Sequence, residues 1–169
     1  MRAILCSLLL AAAPSLAGCA HAGSSLSSAG GRPITGAALD LGGRRVGLET
    51  LRGQVVLLDF FATWCEPCKK GLPITQALVE KHQGRGLSGF AVSLDEQLAL
   101  VAPFVAGLGL RLPALFDEGG KLADELGVEK LPTVVLLDRK GTLRFARFGS
   151  EEDAELEVSR AVELLLREK

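Results

Sequence analysis

Val55-Val56-Leu57-Leu58-Asp59-Phe60-Phe61-Ala62-Thr63-Trp64-Cys65-Glu66-Pro67-Cys68-Lys69-Lys70 sets an apolar strand against the start of a helix, with two cysteines at the junction. Val55 to Phe61 is apolar except for Asp59, the pattern of a central strand buried on both faces. From Cys65 to about Lys81 the pattern becomes helical, with Leu72, Leu78, Val79 and His82 following and Gly84 past the end. Pro67 falls in the first helical turn, where its missing N–H costs nothing.

Cys65-Glu66-Pro67-Cys68 has the spacing of a dithiol or of half a zinc site. Zinc takes about four ligands, and Cys19 and Cys6, the other cysteines, lie far upstream. A purely structural bridge closing so small a loop gives little entropic stabilisation. The redox alternative has a physical basis. At a helix N-terminus the free N–H groups and the macrodipole favour a Cys65 thiolate. Cys68, one turn on and less exposed, is placed to resolve a mixed disulfide formed at Cys65. Trp64 is expected to cover the site rather than fill a core. Lys69 and Lys70 either form a solvated face or modestly support the thiolate.

Outward from this junction, Val46-Gly47-Leu48 after Leu41-Gly42-Gly43 predicts an N-terminal hairpin. Phe90 to Leu94 predicts a second core strand. Leu98 to Leu108 predicts a helix that Pro103 delays or kinks. Ala114 to Phe116 is a short extended piece, and Gly120 to Leu126 a short helix closed by Gly127. Thr133 to Leu137 and Leu143 to Phe148 predict strands joined by a tight turn at Asp138-Arg139-Lys140-Gly141. Glu152 to Arg167 predicts a terminal helix with Leu156, Val162 and Leu166 inward and Glu151, Glu152 and Asp153 at its positive end. The order implies an α/β fold with a central mixed β-sheet flanked by helices.

The chain has 169 residues, 48% hydrophobic and 23% charged, with a formal net charge of −1. That composition is globular, and no global basic field points to nucleic acid. Arg2 followed by the short apolar run Ala3–Ala13 reads as a secretory signal, too short to span a bilayer. Leu16-Ala17-Gly18-Cys19 resembles a bacterial lipobox, which implies a signal peptide over 1–18 and lipidation of Cys19. Ala20 after the cysteine mildly favours the outer over the inner membrane. The Ala/Gly/Ser-rich stretch up to residue 32 reads as a flexible tether. One domain then runs over 33–169.

From about Ile34 onward the chain resembles the thioredoxin superfamily, specifically the periplasmic TlpA/ResA-like thiol-disulfide oxidoreductases. The resemblance rests on Val55–Lys70 and on Gly127-Val128-Glu129-Lys130-Leu131-Pro132-Thr133 with the strand and turn after it. It implies a thioredoxin-like fold with a central strand-helix insertion over Gly86–Val128, a cis Pro132 facing the dithiol, and a helix kink at Pro73. It also implies that Leu131 holds an extended client segment by strand addition and that Glu66-Pro67 tunes the dithiol. Two departures stand out. Relatives of the ResA kind often carry Glu at the position of Gly71, and Asn at the position of Asp59, where thioredoxin has Asp. An Asp in an apolar strand has its pKa raised by desolvation, so Asp59 is expected to carry the proton of Cys68 during exchange.

The expected activity is that of a membrane-anchored protein-disulfide reductase on the periplasmic side, working as a monomer without metal or cofactor beyond the Cys65–Cys68 pair. The implied partners are apocytochrome c or copper-site proteins as clients and a membrane thiol electron donor. The alternatives are a copper-delivery module, which the lack of any His after His82 argues against, a thiol peroxidase, which the cysteine pair argues against, and a disulfide-forming oxidase, which a much less negative potential would distinguish. Gly84-Arg85-Gly86-Leu87-Ser88-Gly89 matches G-x-G-x-x-G, but a helix precedes it and a strand follows, the reverse of a dinucleotide site. His82 is expected to be a surface or capping residue.

Overall fold

The computed structural model describes residues 31–149 and 152–168. Seven strands form one sheet: β1 (Ala37–Asp40), β2 (Arg45–Gly47), β3 (Val55–Phe61), β4 (Leu87–Ser93), β5 (Ala114–Phe116), β6 (Thr133–Leu137) and β7 (Leu143–Phe148). Their spatial order is β2-β1-β5-β4-β3-β6-β7. β3 pairs parallel with β4 and antiparallel with β6, so the sheet is mixed and β3 lies at its centre. The helices are α1 (Glu66–His82), α2 (Val101–Gly107), α3 (Lys121–Leu126) and α4 (Glu152–Arg167).

Every residue of β3 is buried. Alternation across the strand sends Val55, Leu57 and Phe61 into a core with Leu72 and Val79 of α1, Val101 of α2 and Val162 of α4. Val56, Leu58 and Phe60 enter a second core with Leu122 and Leu126 of α3. Asp59 falls in the first series, on the side of α1 and α4. Phe61 stacks on Phe104 at 5.3 Å between ring centroids, which fixes α2 against the same face.

Several sequence expectations shift. The hairpin forms, but its first strand is Ala37–Asp40, and Leu41–Gly43 belong to the turn. The Asp40 carboxylate accepts from the N–H groups of Gly42 and Arg44 and so closes that turn. β4 begins at Leu87, three residues earlier than its apolar run suggests. There the bare backbone of Gly89 lies against α1, where a Cβ would stand 2.3 Å from Val79 Cγ2. β4 lies between β5 and β3 in the sheet. The helix expected from Leu98 is a 3-10 turn up to Leu100, with Pro103 in the first turn of α2 proper. Leu156 is 50% exposed, because residues six apart on a helix differ by about 240° and Leu156 cannot share a face with Val162. The inner stripe of α4 is Ala154, Val158, Ala161, Val162, Leu165 and, as expected, Leu166.

Candidate active site

The chain leaves the sheet at the C-terminal end of β3, between β4 and β6, and α1 starts there. Cys65 is the N-cap of α1, and its Sγ accepts the Cys68 N–H at 3.3 Å. The sulfur thus occupies the place of a capping oxygen, where the helix dipole favours negative charge. Cys65 and Cys68 form a disulfide, with Cα atoms 5.3 Å apart. Both are buried, Cys68 (1% exposed) more than Cys65 (5%), the order expected of a resolving and an attacking sulfur. Trp64 stands 73% exposed beside them, outside the core. Glu66 pairs with Lys69 at 2.7 Å, which holds the Glu66 carboxyl below its usual range and occupies Lys69. Pro67 lies in the first turn, and Pro73 lies inside α1.

Asp59 is buried, and desolvation raises its pKa to about 7 although a hydrogen bond from Thr75 pulls the other way. The Thr75 hydroxyl donates to Asp59 Oδ2 at 2.6 Å. Thr75 belongs to no motif in the sequence, yet its spacing carries a signal. Cys68, Leu72, Thr75, Val79 and His82 recur at helical spacing, and all five are buried. The same stripe corrects the expectation for His82. It is 1% exposed, not a surface residue, because it closes that stripe. Its Nδ1 lies 3.1 Å from Arg85 Nη1, and its Nε2 lies 3.6 Å from the Glu163 carboxylate.

A groove of about 430 Å³ opens between α1 and α4 and reaches Asp59 and Thr75. Gly71 lines it at the turn following the dithiol, and Pro132 lines it from the sheet side. The Leu131–Pro132 peptide is cis. Its loop is fixed from both sides: Thr133 Oγ1 donates to Lys130 O at 2.8 Å, and Gly149 N donates to Pro132 O at 2.9 Å. Leu131 is half-buried over both cores. The Lys130 ammonium sits 5.7 Å from the centroid of the Phe148 ring, a cation–π contact.

A second residue missed in the sequence fixes the loop before Cys65. The buried Asp95 carboxylate accepts from Thr63 N at 3.1 Å, from Thr63 Oγ1 at 2.7 Å and from Ser93 Oγ at 2.8 Å. The turn leading into the dithiol is thereby tied to the end of β4. The glycine-rich run Gly84–Gly89 is structural: Gly86 takes a left-handed φ of 92° after α1, and β4 follows directly. Cys6, Cys19, the signal peptide and most of the tether lie outside the described residues. Among the described residues no cluster of three or more His, Cys, Asp or Glu is placed to hold a metal ion. No helix among them is long and apolar enough to cross a membrane.

Known proteins share these features. The AhpC/TSA family matches residues 32–146. Thiol-disulfide oxidoreductase ResA of Bacillus thuringiensis (strain Al Hakam) is 36% identical over 118 residues, covering 70% of this chain and 68% of that protein. Among solved structures, a chain described as thiol:disulfide interchange protein DsbE from Chlorobium tepidum superposes with a TM-score of 0.73 at 28% identity, over 79% of this chain and 94% of that one. StoA from Bacillus subtilis superposes at 0.63 with 25% identity, over 76% and 96%. With its cysteine pair at the head of α1 and its thioredoxin-like sheet, the chain belongs to the AhpC/TSA family and is a TlpA/ResA-like thiol-disulfide oxidoreductase.

Proposed function

We propose that this oxidoreductase is a lipid-anchored reductant of client disulfides on the periplasmic side of a bacterial membrane. The observation that carries the chemistry is the Cys65 sulfur at the α1 N-cap, accepting a backbone N–H. In the reduced enzyme the Cys65 thiolate attacks one sulfur of a client disulfide. A Cys65–client bond forms, and the client's other sulfur leaves as a thiolate that takes a proton from water. The Cys68 thiol then gives its proton to the Asp59 carboxylate. The Cys68 thiolate attacks the Cys65 sulfur, the Cys65–client bond breaks, and the second client sulfur leaves and is protonated. Two electrons have passed to the client, and the Cys65–Cys68 disulfide remains. A membrane thiol donor returns the pair to the dithiol.

A pKa of about 7 suits Asp59 to this task, since an acid poised near ambient pH both accepts and releases a proton readily. The backbone of Leu131, just before the cis Pro132, offers groups to which an extended client segment adds. Resemblance to the ResA-like relatives supports Cys-x-x-Cys-His segments of apocytochrome c or the thiols of copper sites as clients. The lipobox at Leu16–Cys19 supports the anchor, and Ala20 favours the outer membrane.

The test is a trap in cells. Cys68→Ala should accumulate mixed disulfides at Cys65, and mass spectrometry of the captured adducts names the clients. Recovering none where a control oxidoreductase captures its own would contradict the proposal. Cys19→Ala should move the protein from the membrane to the soluble periplasmic fraction. Peroxide turnover sustained by Cys65 alone would favour the peroxidase alternative.

A further inference from the structure

A threonine in the middle of α1 is an odd choice on local grounds. It is a mediocre helix former, and its hydroxyl occupies a buried stripe otherwise built from Cys68, Leu72 and Val79. An apolar residue would pack there without bringing in a group that requires a partner. The partner is Asp59, 2.6 Å away and equally buried. Among the described residues, Thr75 is the hydrogen-bond donor that reaches this carboxyl. The hydroxyl also has a property that no apolar residue shares: it both donates and accepts. When Asp59 is ionised, Thr75 donates to it. When Asp59 is protonated, the acid donates to Thr75 Oγ1, and the hydroxyl turns its own proton elsewhere.

We propose that Thr75 is a positioning residue for thiol-disulfide exchange, its hydroxyl keeping the Asp59 carboxyl partnered and aimed in both of that acid's protonation states. The proposal rests on the proton role given to Asp59 above. Along α1, Thr75 is seven residues from Cys68, about 10 Å of rise. Asp59 lies on the face of β3 whose flanking residues Leu57 and Phe61 share one core with Cys65 and Cys68, which sets the Thr75–Asp59 pair on the dithiol's side of the sheet. The groove between α1 and α4 adds an opening on the other side, so that a proton accepted from Cys68 passes on to water while a client covers the dithiol. Besides Asp59 itself, the titratable or charged groups lining that groove are Lys81 of α1 and Glu155 of α4, of opposite sign. Pro132, just before β6, and Val134 within it add no charge.

The experiment compares Thr75→Val, Thr75→Ser and Asp59→Asn with the wild type. One readout is the titration of the Asp59 carboxyl by carbon-13 NMR in the oxidised protein. The other is the pH profile of the reaction between reduced enzyme and a synthetic peptide bearing a Cys-x-x-Cys-His disulfide. The chain's single tryptophan, Trp64, reports it by fluorescence beside the reacting sulfurs. Thr75→Val should raise both midpoints by about one pH unit, a tenfold loss of rate on the acid side that is regained at higher pH. Thr75→Ser, which restores the hydroxyl, should superimpose on the wild type. Thr75→Ala gives the same contrast as Val if the added methyl is poorly tolerated.

Unmoved midpoints in Thr75→Val and Thr75→Ala would overturn the inference, as would a serine variant that behaves like valine. If Asp59→Asn keeps the wild-type rate profile, it is the proton role of Asp59 that fails, and the rate arm of the inference with it. If Asp59→Asn flattens the profile while the Thr75 variants leave it in place, the inference about Thr75 alone fails.

Discussion

Removing the charge of Asp59 should make the oxidised protein more stable and less active at once. Burial raises the Asp59 pKa from its ordinary 3.8 to about 7, with the Thr75 hydrogen bond offsetting only part of the effect. Because the folded-state pKa lies above the unfolded one, the folded protein holds its proton where the unfolded chain has released it. The Asp59 contribution to stability is therefore largest below about pH 4, falls as pH rises, and levels off above about pH 7. The displacement from 3.8 to about 7 corresponds to about 4 kcal/mol. Asp59→Asn keeps the shape and the hydrogen bond from Thr75 but has no charge to desolvate. It should gain most of that stability at pH 8 and little at pH 4, a rise in Tm at pH 8 on the order of 10 °C. Guanidinium unfolding of both proteins, oxidised, at pH values from 4 to 8 provides the measurement. The difference between the two curves isolates Asp59, since every other titrating group is common to both. A variant no more stable than the wild type at pH 8, or a gain independent of pH, would refute the burial argument.

Further perturbations address the rest of the frame. Asp95→Ala leaves the half-buried Thr63 and buried Ser93 donors without their acceptor and should cost about 2 kcal/mol; it should also slow exchange by loosening the turn into Cys65, as denaturant melts and peptide reduction rates would report. Gly89→Ala places a methyl 2.3 Å from Val79 Cγ2 and should destabilise by about 2 kcal/mol through overpacking between β4 and α1, read from the unfolding midpoint. His82 is held below its ordinary value of 6.5 by burial, with Lys81 and Arg85 adding to the effect and Glu163 opposing it. Its contribution to stability is thus present above pH 6.5 and lost as pH falls through the depressed value, so His82→Phe should lessen the acid-side loss in urea melts between pH 7 and 5.

How much of this was legible in the sequence depended on the range over which each contact acts. β3 and α1 were plain because an apolar run and a helical period are local patterns, and the cysteine pair marks their junction. Burial of Asp59 followed from the same run. The cis geometry of Pro132 came only from resemblance, since nothing local selects it. Thr75 and Asp95 were hidden because their partners are distant in sequence, 16 residues for Thr75 with Asp59 and 32 for Asp95 with Thr63. Polarity misled at His82, which the helical spacing from Cys68 places inside. Apolar character misled at Leu156, which the same geometry places outside. β4 was cut short because Ser88 and Gly89 interrupt its hydrophobicity, yet the small residue there admits α1.

The central claim is that Cys65 attacks and Cys68 resolves. Single variants Cys68→Ala and Cys65→Ala, each reduced and mixed with a disulfide peptide, separate the two roles by intact-protein mass spectrometry. Cys68→Ala should collect one peptide per chain as a stable adduct at Cys65, rapidly at pH 7. Cys65→Ala should collect little over the same time, because the Cys68 sulfur is buried and does not occupy the helix N-cap. Equal trapping by both variants, or faster trapping at Cys68, would contradict the account.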